Sequence, residues 1–458
     1  MLGEVFQRFA EKSPIAVMVR GVLERVLSPA QLDQWYARTA DKQYTRHLLF
    51  STVYQLMSLV VFKVKPSVHA AYQATEEAIG VSIVSVYNKL NAMESHTSAG
   101  LVRYSVEVLS RIIDEMGGRR EPWLPGYRVK ILDGNCIEAS EHRIKELRGL
   151  AAGALPGKSL VVYDPTFAMA VDVFPCEDGH AQERALLGEV LSTVQAGDVW
   201  VADRNFCVRD FLCGIDEHQG FFVIREHQGL PWKASGPMRS AGRVSTGKLA
   251  EQRIRLTDAQ GEEKPFRRIR LKLDQATRDG ERVIHIVTNL PKTIQAKTVA
   301  EIYRKRWTIE TAFQEIEGYL HSEINTLGYP KAALFGFCIA LVAYNAMATV
   351  FAALRSIHGE QQIDQQLSGY YVANEIAETY RGMMIAIPEQ EWVIFSTMTV
   401  AQFAQVLLQL ASNVRLRAFR KHPRGPKKPQ PKRHYNPEQP HVSTAKLITA
   451  RNSVSKAP

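Results

Sequence analysis

Cysteine is scarce in this chain and badly spaced for structural duty. The five residues Cys136, Cys176, Cys207, Cys213 and Cys338 are odd in number and include no zinc-ribbon or knuckle pair. That excludes a disulfide framework and a structural zinc, and reads as the reduced thiols of a cytoplasmic protein. The opening Met1-Leu-Gly-Glu-Val-Phe-Gln is too acidic and too short in apolar run for a secretory signal, so none is expected. Acid is in deficit: 47 Asp and Glu stand against 57 Lys and Arg, for a net charge of +10 and a pI near 9.3. The partner expected of such a chain is anionic, nucleic acid ahead of a membrane surface. Between Arg415 and Arg433 acid is missing altogether. Nine lysines and arginines there are broken by Pro423, Pro426, Pro429 and Pro431. Like charges repel and proline prevents regular structure, so an extended, disordered basic tail is expected over 419–458, adding phosphate contacts that weaken with salt. Long apolar runs are also missing, with one exception at 332–354. That run stands alone, is rich in alanine and is interrupted by Asn345, so a helix buried against a sheet is expected rather than a bilayer span.

What is present is a set of acidic residues in telling positions. Glu301 to Glu317 has helical periodicity, with Ile302, Trp307, Ile309, Phe313 and Ile316 on an apolar side. Tyr303, Arg306 and Glu310 share another stripe, which presents a phenol, a guanidinium and a carboxylate together. Trp307 lies beside the apolar side, where core packing is expected ahead of stacking on a displaced base. Upstream, Val129, Ile131 and Asp133 read as one face of a strand, with Gly134 opening the turn after it. Val199 to Ala202 is a short apolar run ending abruptly in Asp203-Arg-Asn, as a buried strand does on emerging at a sheet edge. Two strand-borne aspartates followed by a helical glutamate are carboxylates able to converge on hard divalent cations. Two such ions about 3.5–4 Å apart stabilise the attacking and leaving oxygens of a phosphodiester.

Asp133-Gly-Asn, Asp203-Arg-Asn-Phe and Tyr303-x-x-Arg306-x-x-x-Glu310 together resemble the three catalytic blocks of DDE transposases, the nearest group being the insertion-sequence-four family. The resemblance covers roughly 125–330. It implies a ribonuclease-H-like α/β core with a mixed sheet, and Asp133, Asp203 and Glu310 as catalytic residues holding two magnesium ions, with manganese able to substitute. It also implies DNA contacts from Tyr303, Arg306, Arg204, Trp307 and Lys305. The implied activity is binding of terminal inverted repeats, DNA cleavage and strand transfer into target DNA through a hairpin, by a homodimer on double-stranded DNA in the cytoplasm. One departure stands out: Glu317 occupies the position of the family's lysine, seven residues after the glutamate. The competing reading is a non-catalytic DNA-binding regulator or relic with the same fold.

The expected layout follows. Residues 1–120 read as helical, with periodic stretches at 16–26, 47–64, 69–79 and 101–116. Within them, Ala70 to Leu90 forms a helix-turn-helix pattern whose second helix is capped by Ser82 and carries Val84, Tyr87 and Leu90 on one face. A core at 126–225 and 281–330 is interrupted by a β-rich insertion at 226–280, and a helical region follows at 331–418. In the insertion, Arg253, Arg255, Arg268, Arg270 and Lys272 alternate with Ile254, Leu256, Ile269, Leu271 and Leu273. The expectation is a ribbon with one apolar and one cationic face, the latter lying along DNA.

Overall fold

A computed structural model of the protein describes residues 3–41, 47–137, 154–277, 280–422 and 442–454. The polar segment 141–148 and most of the proline-rich basic stretch lie outside the described residues.

The first part is helical, as the periodicity predicts. Helices Pro14–Leu27, Phe50–Val61 and Ser95–Glu115 match three of the stretches, and the fourth is split into Val68–Gln73 and Glu76–Ile79. Pro29–Thr39 goes unread in the sequence because its pattern is weak, although Pro29 sits at its first turn, where a missing N–H costs nothing. In the helix-turn-helix segment, Gly80 adopts a positive φ of 65° and closes the first helix. The Ser82 hydroxyl accepts from Ser85 N and opens the helix Ile83–Asn91. The buried stripe of that helix is Val86 and Leu90, whereas Val84 faces outward at 62% exposure. Packing against Pro330–His358 selects the four-residue pair Val86 and Leu90 for this face, not the three-residue pairing of Val84 with Tyr87.

A ten-stranded sheet forms the centre of the molecule. Its strands are β1 (Arg128–Ile137), β2 (Ala154–Leu155, off the main sheet), β3 (Gly157–Asp164), β4 (Met169–Cys176), β5 (Asp198–Ala202), β6 (Phe221–Arg225), β7 (Trp232–Ala234), β8 (Arg239–Val244), β9 (Gly247–Thr257), β10 (Glu263–Leu273) and β11 (Val283–Thr288). The order is β4-β3-β1-β5-β6-β11-β10-β9-β7, with β8 also pairing β9. β1, β5 and β6 run parallel, and the remaining pairs are antiparallel. Alternate residues of the parallel strands feed two cores. Val129, Ile131, Val199, Val201 and Val223 face the large helical side, and Leu132, Trp200, Ala202, Phe222 and Ile224 face the other.

The apolar run becomes the helix Pro330–His358, long and apolar enough to cross a membrane but buried within the protein along most of its length. It packs on Ser95–Glu115, Phe50–Val61, Val400–Ser412 and β4. The amide in its middle has a structural reason. Asn345 is fully buried, accepts from Ala170 N at 2.9 Å and donates to Ala170 O at 2.8 Å, so it pairs the backbone of the edge strand β4.

Two expectations are overturned here. The insertion ribbon does not have one cationic face. Register pairs Ile254 with Phe266 and Arg270 with Ala250, so Ile254 and Leu256 share a face with Arg270 and Lys272, while Arg253 and Arg255 share the other with Ile269 and Leu271. Each face is apolar over one half and cationic over the other, because the ribbon contributes Ile254, Leu256 and Phe266 to one core and Leu249, Ile269 and Leu271 to the opposite one. Alternation within a strand is visible in sequence, but cross-strand register is not. The end of the chain is the second correction. Residues 442–454 are not part of a free tail, because β12 (Val442–Ser443) pairs with β2 in parallel and leads into the helix Thr444–Val454. Ser443 and Thr444 are buried there, and Lys446 meets Asp178 at 3.1 Å.

Candidate active site

The site is built at the carboxyl ends of the parallel strands, where backbone groups run out of partners and side chains reach open space. Ile131 pairs with Val201, and Val201 with Val223. Two residues further along each strand, on the same face, stand Asp133, Asp203 and Arg225. β5 ends at Ala202, whereas β1 continues through Gly134 to Ile137 against β3. The turn expected at Gly134 is therefore absent, and Asp133 lies where β1 outruns its parallel neighbour. Asp203 caps a short 3-10 turn, its Oδ1 accepting from Asn205 N at 2.7 Å.

The roof is the segment that reads as one helix in sequence. It is two helices, Ala296–Arg304 and Thr308–Tyr319, joined by a 3-10 turn at Lys305–Trp307. The tighter turn advances about 120° per residue rather than 100°, and this reverses the expectation for Trp307. The indole is 56% exposed instead of packed in the core, and Arg306 is the residue turned inward, at 8% exposure. Its guanidinium donates to Asp133 Oδ2 at 3.0 Å and to Glu310 Oε1 at 2.8 Å, tying the strand acid to the helix acid.

The electrostatics show that the three acids share one field. Burial pushes the Asp133 carboxyl up to about 6, against the pull of Arg306, and the charges of Asp203 and Glu310 raise it further. Burial likewise raises the Tyr303 hydroxyl, which also feels Arg306, Arg225 and Asp203 and bonds to Arg306. The carboxylates are reachable, the side chains of Asp133 and Glu310 being 19% and 43% exposed. Their oxygens are splayed around Arg306. Among the described residues, the side chains whose ligating atoms all come within 4.8 Å of one another are Asp41, Glu94 and His96, a group remote in sequence from these strands, with Asp41 and His96 exposed and Glu94 half-buried.

The other anticipated residues scatter in position. Arg204 is exposed and meets Glu281 at 3.4 Å. Lys305 lies over the Trp123 ring, 5.2 Å from its centre. Glu317 is exposed on the roof helix. Arg270 faces solvent on β10 with Lys272. Arg268 does not. Its Nε donates to Glu226 at 2.6 Å and its guanidinium stacks 4.6 Å over Trp232, so it is engaged within the insertion rather than presented to a partner.

Sequence reasoning missed Arg225 and Glu183. Arg225 bonds Glu281 at 2.5 Å and also bonds Tyr303. A signal existed: Phe221–Ile224 is an apolar run broken abruptly by a charge, as at Asp203. Glu183 accepts from Asn205 Nδ2 at 2.5 Å. Nothing local marks it, since its relevance comes from a partner twenty-two residues on.

Carboxylates from parallel strands and a covering helix, set among arginines and a buried tyrosine, form an acidic site on the α/β sheet of a chain whose net charge is +10. Residues 124–346, which span this site, match the family model of the transposase DDE domain. Similar proteins include a probable transposase for insertion sequence element IS5377 of Geobacillus stearothermophilus, 25% identical over 195 residues, covering 42% of this chain and 48% of that protein. A putative transposase InsL for insertion sequence element IS186A of Escherichia coli (strain K12) is 24% identical over 248 residues, covering 45% and 62%. The transposase for insertion sequence element IS421 of Escherichia coli is similar to the same extent. The matched segments thus span about half to three fifths of these relatives' lengths.

Proposed function

We propose that the chain is the transposase of an insertion sequence of the insertion-sequence-four type, cutting DNA at terminal inverted repeats and joining the freed 3′ hydroxyl to target DNA, with a flanking hairpin between those steps. The observation that carries this reading is the field shared by Asp133, Asp203 and Glu310, in which burial and mutual repulsion leave Asp133 short of positive charge. Three carboxylates carried at two strand ends and on the roof helix suit hard divalent cations, magnesium or manganese. When bound, such ions stabilise the attacking and leaving oxygens of the phosphodiester. The strand order β4-β3-β1-β5-β6, with β1, β5 and β6 parallel, supports a ribonuclease-H-like core.

In this reading Arg306 holds the strand and helix acids in register and, with Tyr303 and Arg225 beside it, faces the phosphate next to the scissile bond. Trp307, turned out beside Arg306, stacks on a displaced base. Arg204 and Lys305 flank the strand ends. Arg270, Lys248 and Lys272, exposed on one half of the ribbon, lie along the duplex, and Ile83–Asn91 enters a groove. Cleavage with transfer requires two ends held together, so a homodimer assembles on DNA, at the nucleoid.

The second reading, a non-catalytic DNA-binding regulator, draws on the acid oxygens being splayed around Arg306 and on Glu317 where the family has lysine. A plasmid carrying the element's ends separates the two. Wild-type protein is expected to cut it with magnesium, and Asp203→Asn to lower the rate by roughly a thousandfold or more, several kcal/mol of barrier. Equal cutting by both, or salt-sensitive binding without cutting by either, overturns the enzymatic reading.

A further inference from the structure

Resting on that reading, we infer that Glu183 is a positioning residue that holds the strand ends carrying Asp133 and Asp203 at one spacing, from the side of the sheet opposite Arg306. The 3-10 turn Glu183–Leu186 buries Leu186 with Leu132, Trp200 and Ala202 in the core on that side of the sheet. Glu183 Oε2 accepts from Asn205 Nδ2 at 2.5 Å, and the adjacent Arg184 Nε donates to Asn205 O at 2.7 Å. The turn that presents Asp203 is thereby gripped at both its amide side chain and its carbonyl, while its own Asn205 N–H holds the Asp203 carboxylate. The other carboxylate oxygen of Glu183 lies against Gly134, next to Asp133. A Cβ at that position would come within 2.1 Å of Oε1 and 2.7 Å of Cδ.

Two residues with no chemistry of their own thus acquire a reason. Gly134 provides room for a carboxylate to reach β1, and Asn205 passes that anchorage to the second acid. Because Gly134 points away from Asp133 on the strand, Glu183 is not itself offered to the reacting phosphate. Asn205, whose N–H bonds the proposed ligand Asp203, is one step removed from the metal, and Glu183 fixes Asn205; losing such a partner weakens metal binding by about 10–100-fold.

The test is manganese binding by the full chain without DNA, followed by the paramagnetic resonance of the free ion, with thermal unfolding as a control for folding. Glu183→Ala and Gly134→Ala are each expected to weaken binding about 10–100-fold, and the double variant no further, because both release the same contact. Glu183→Gln, which keeps an acceptor for Asn205, is expected to bind nearly as wild type does. If Glu183→Ala fails to fold, Asn205→Ala cuts the same link from its other end with the same expectation. Wild-type affinity in Glu183→Ala or Asn205→Ala, while Asp203→Asn loses manganese, overturns the inference and leaves the proposed function standing. Wild-type affinity in Asp203→Asn overturns the proposed function and the inference with it.

Discussion

The strand pair β1 and β5 carries a largely buried aspartate at each end, and the two are treated in opposite ways. At the amino end, Asp198 is fully buried and accepts from Arg128 Nε at 2.8 Å, Lys130 Nζ at 2.8 Å and Gln195 N at 3.0 Å. Lys130 in turn lies 5.2 Å from the centre of the buried Trp200 ring. At the carboxyl end, Asp133 has one cation, Arg306, shared with Glu310, and two acids for neighbours. One end is a closed ionic knot. The other is an acidic site whose charge the protein leaves incompletely matched, as expected where stability is given up for binding or chemistry.

Breaking each end separates these descriptions. Asp198→Ala, which leaves the largely buried Lys130 and the half-exposed Arg128 without their carboxylate, is expected to cost about 3 kcal/mol by denaturant unfolding. A cost below about 1 kcal/mol would mean that the amino end is not a structural knot. Asp133→Asn is expected to go the other way. The folded carboxyl is pushed up to about 6 from an ordinary 3.8, so the fold favours its neutral form. The sign follows: this contribution to stability is fully present below pH 4 and is lost as pH rises to about 6. The asparagine variant should therefore be about 1–3 kcal/mol more stable than wild type at pH 8 and no more stable at pH 4, as read from unfolding curves at the two values. A variant less stable at pH 8 would show Asp133 to be as well matched as Asp198. The smallest effect is expected at the exposed aromatic of the open end. Trp307→Ala should change stability by less than about 0.5 kcal/mol yet weaken binding of DNA with unpaired bases by about 1–3 kcal/mol. A stability loss of about 3–5 kcal/mol would instead mark a core residue.

The same contrast explains what could be read in the sequence. Asp133 and Asp203 stand out because apolar runs of period two stop at a charge, and Asn345 because an amide interrupts an otherwise apolar helix. Ser82 is legible because its hydroxyl acts on a residue three positions away. These signals are local. Trp307 was misplaced because a single 3-10 turn shifts the phase of everything near it, and the pattern of apolar residues does not record that turn. The faces of the β9–β10 ribbon were misassigned because register belongs to the pair and not to either strand. Arg225, Glu183 and the return of Val442–Ser443 to β2 were missed for the same reason: each is defined by a neighbour that only the folded sheet supplies.

The central claim is that Asp133, Asp203 and Glu310 act together as one divalent-ion site. Iron(II) in place of magnesium, with ascorbate to generate hydroxyl radicals, cuts a polypeptide beside the bound ion. Cuts clustered at positions 133, 203 and 310, suppressed by excess magnesium and lost in Asp203→Asn, are the predicted result. Cuts confined to the neighbourhood of Asp41, Glu94 and His96, or unchanged by Asp203→Asn, would contradict it.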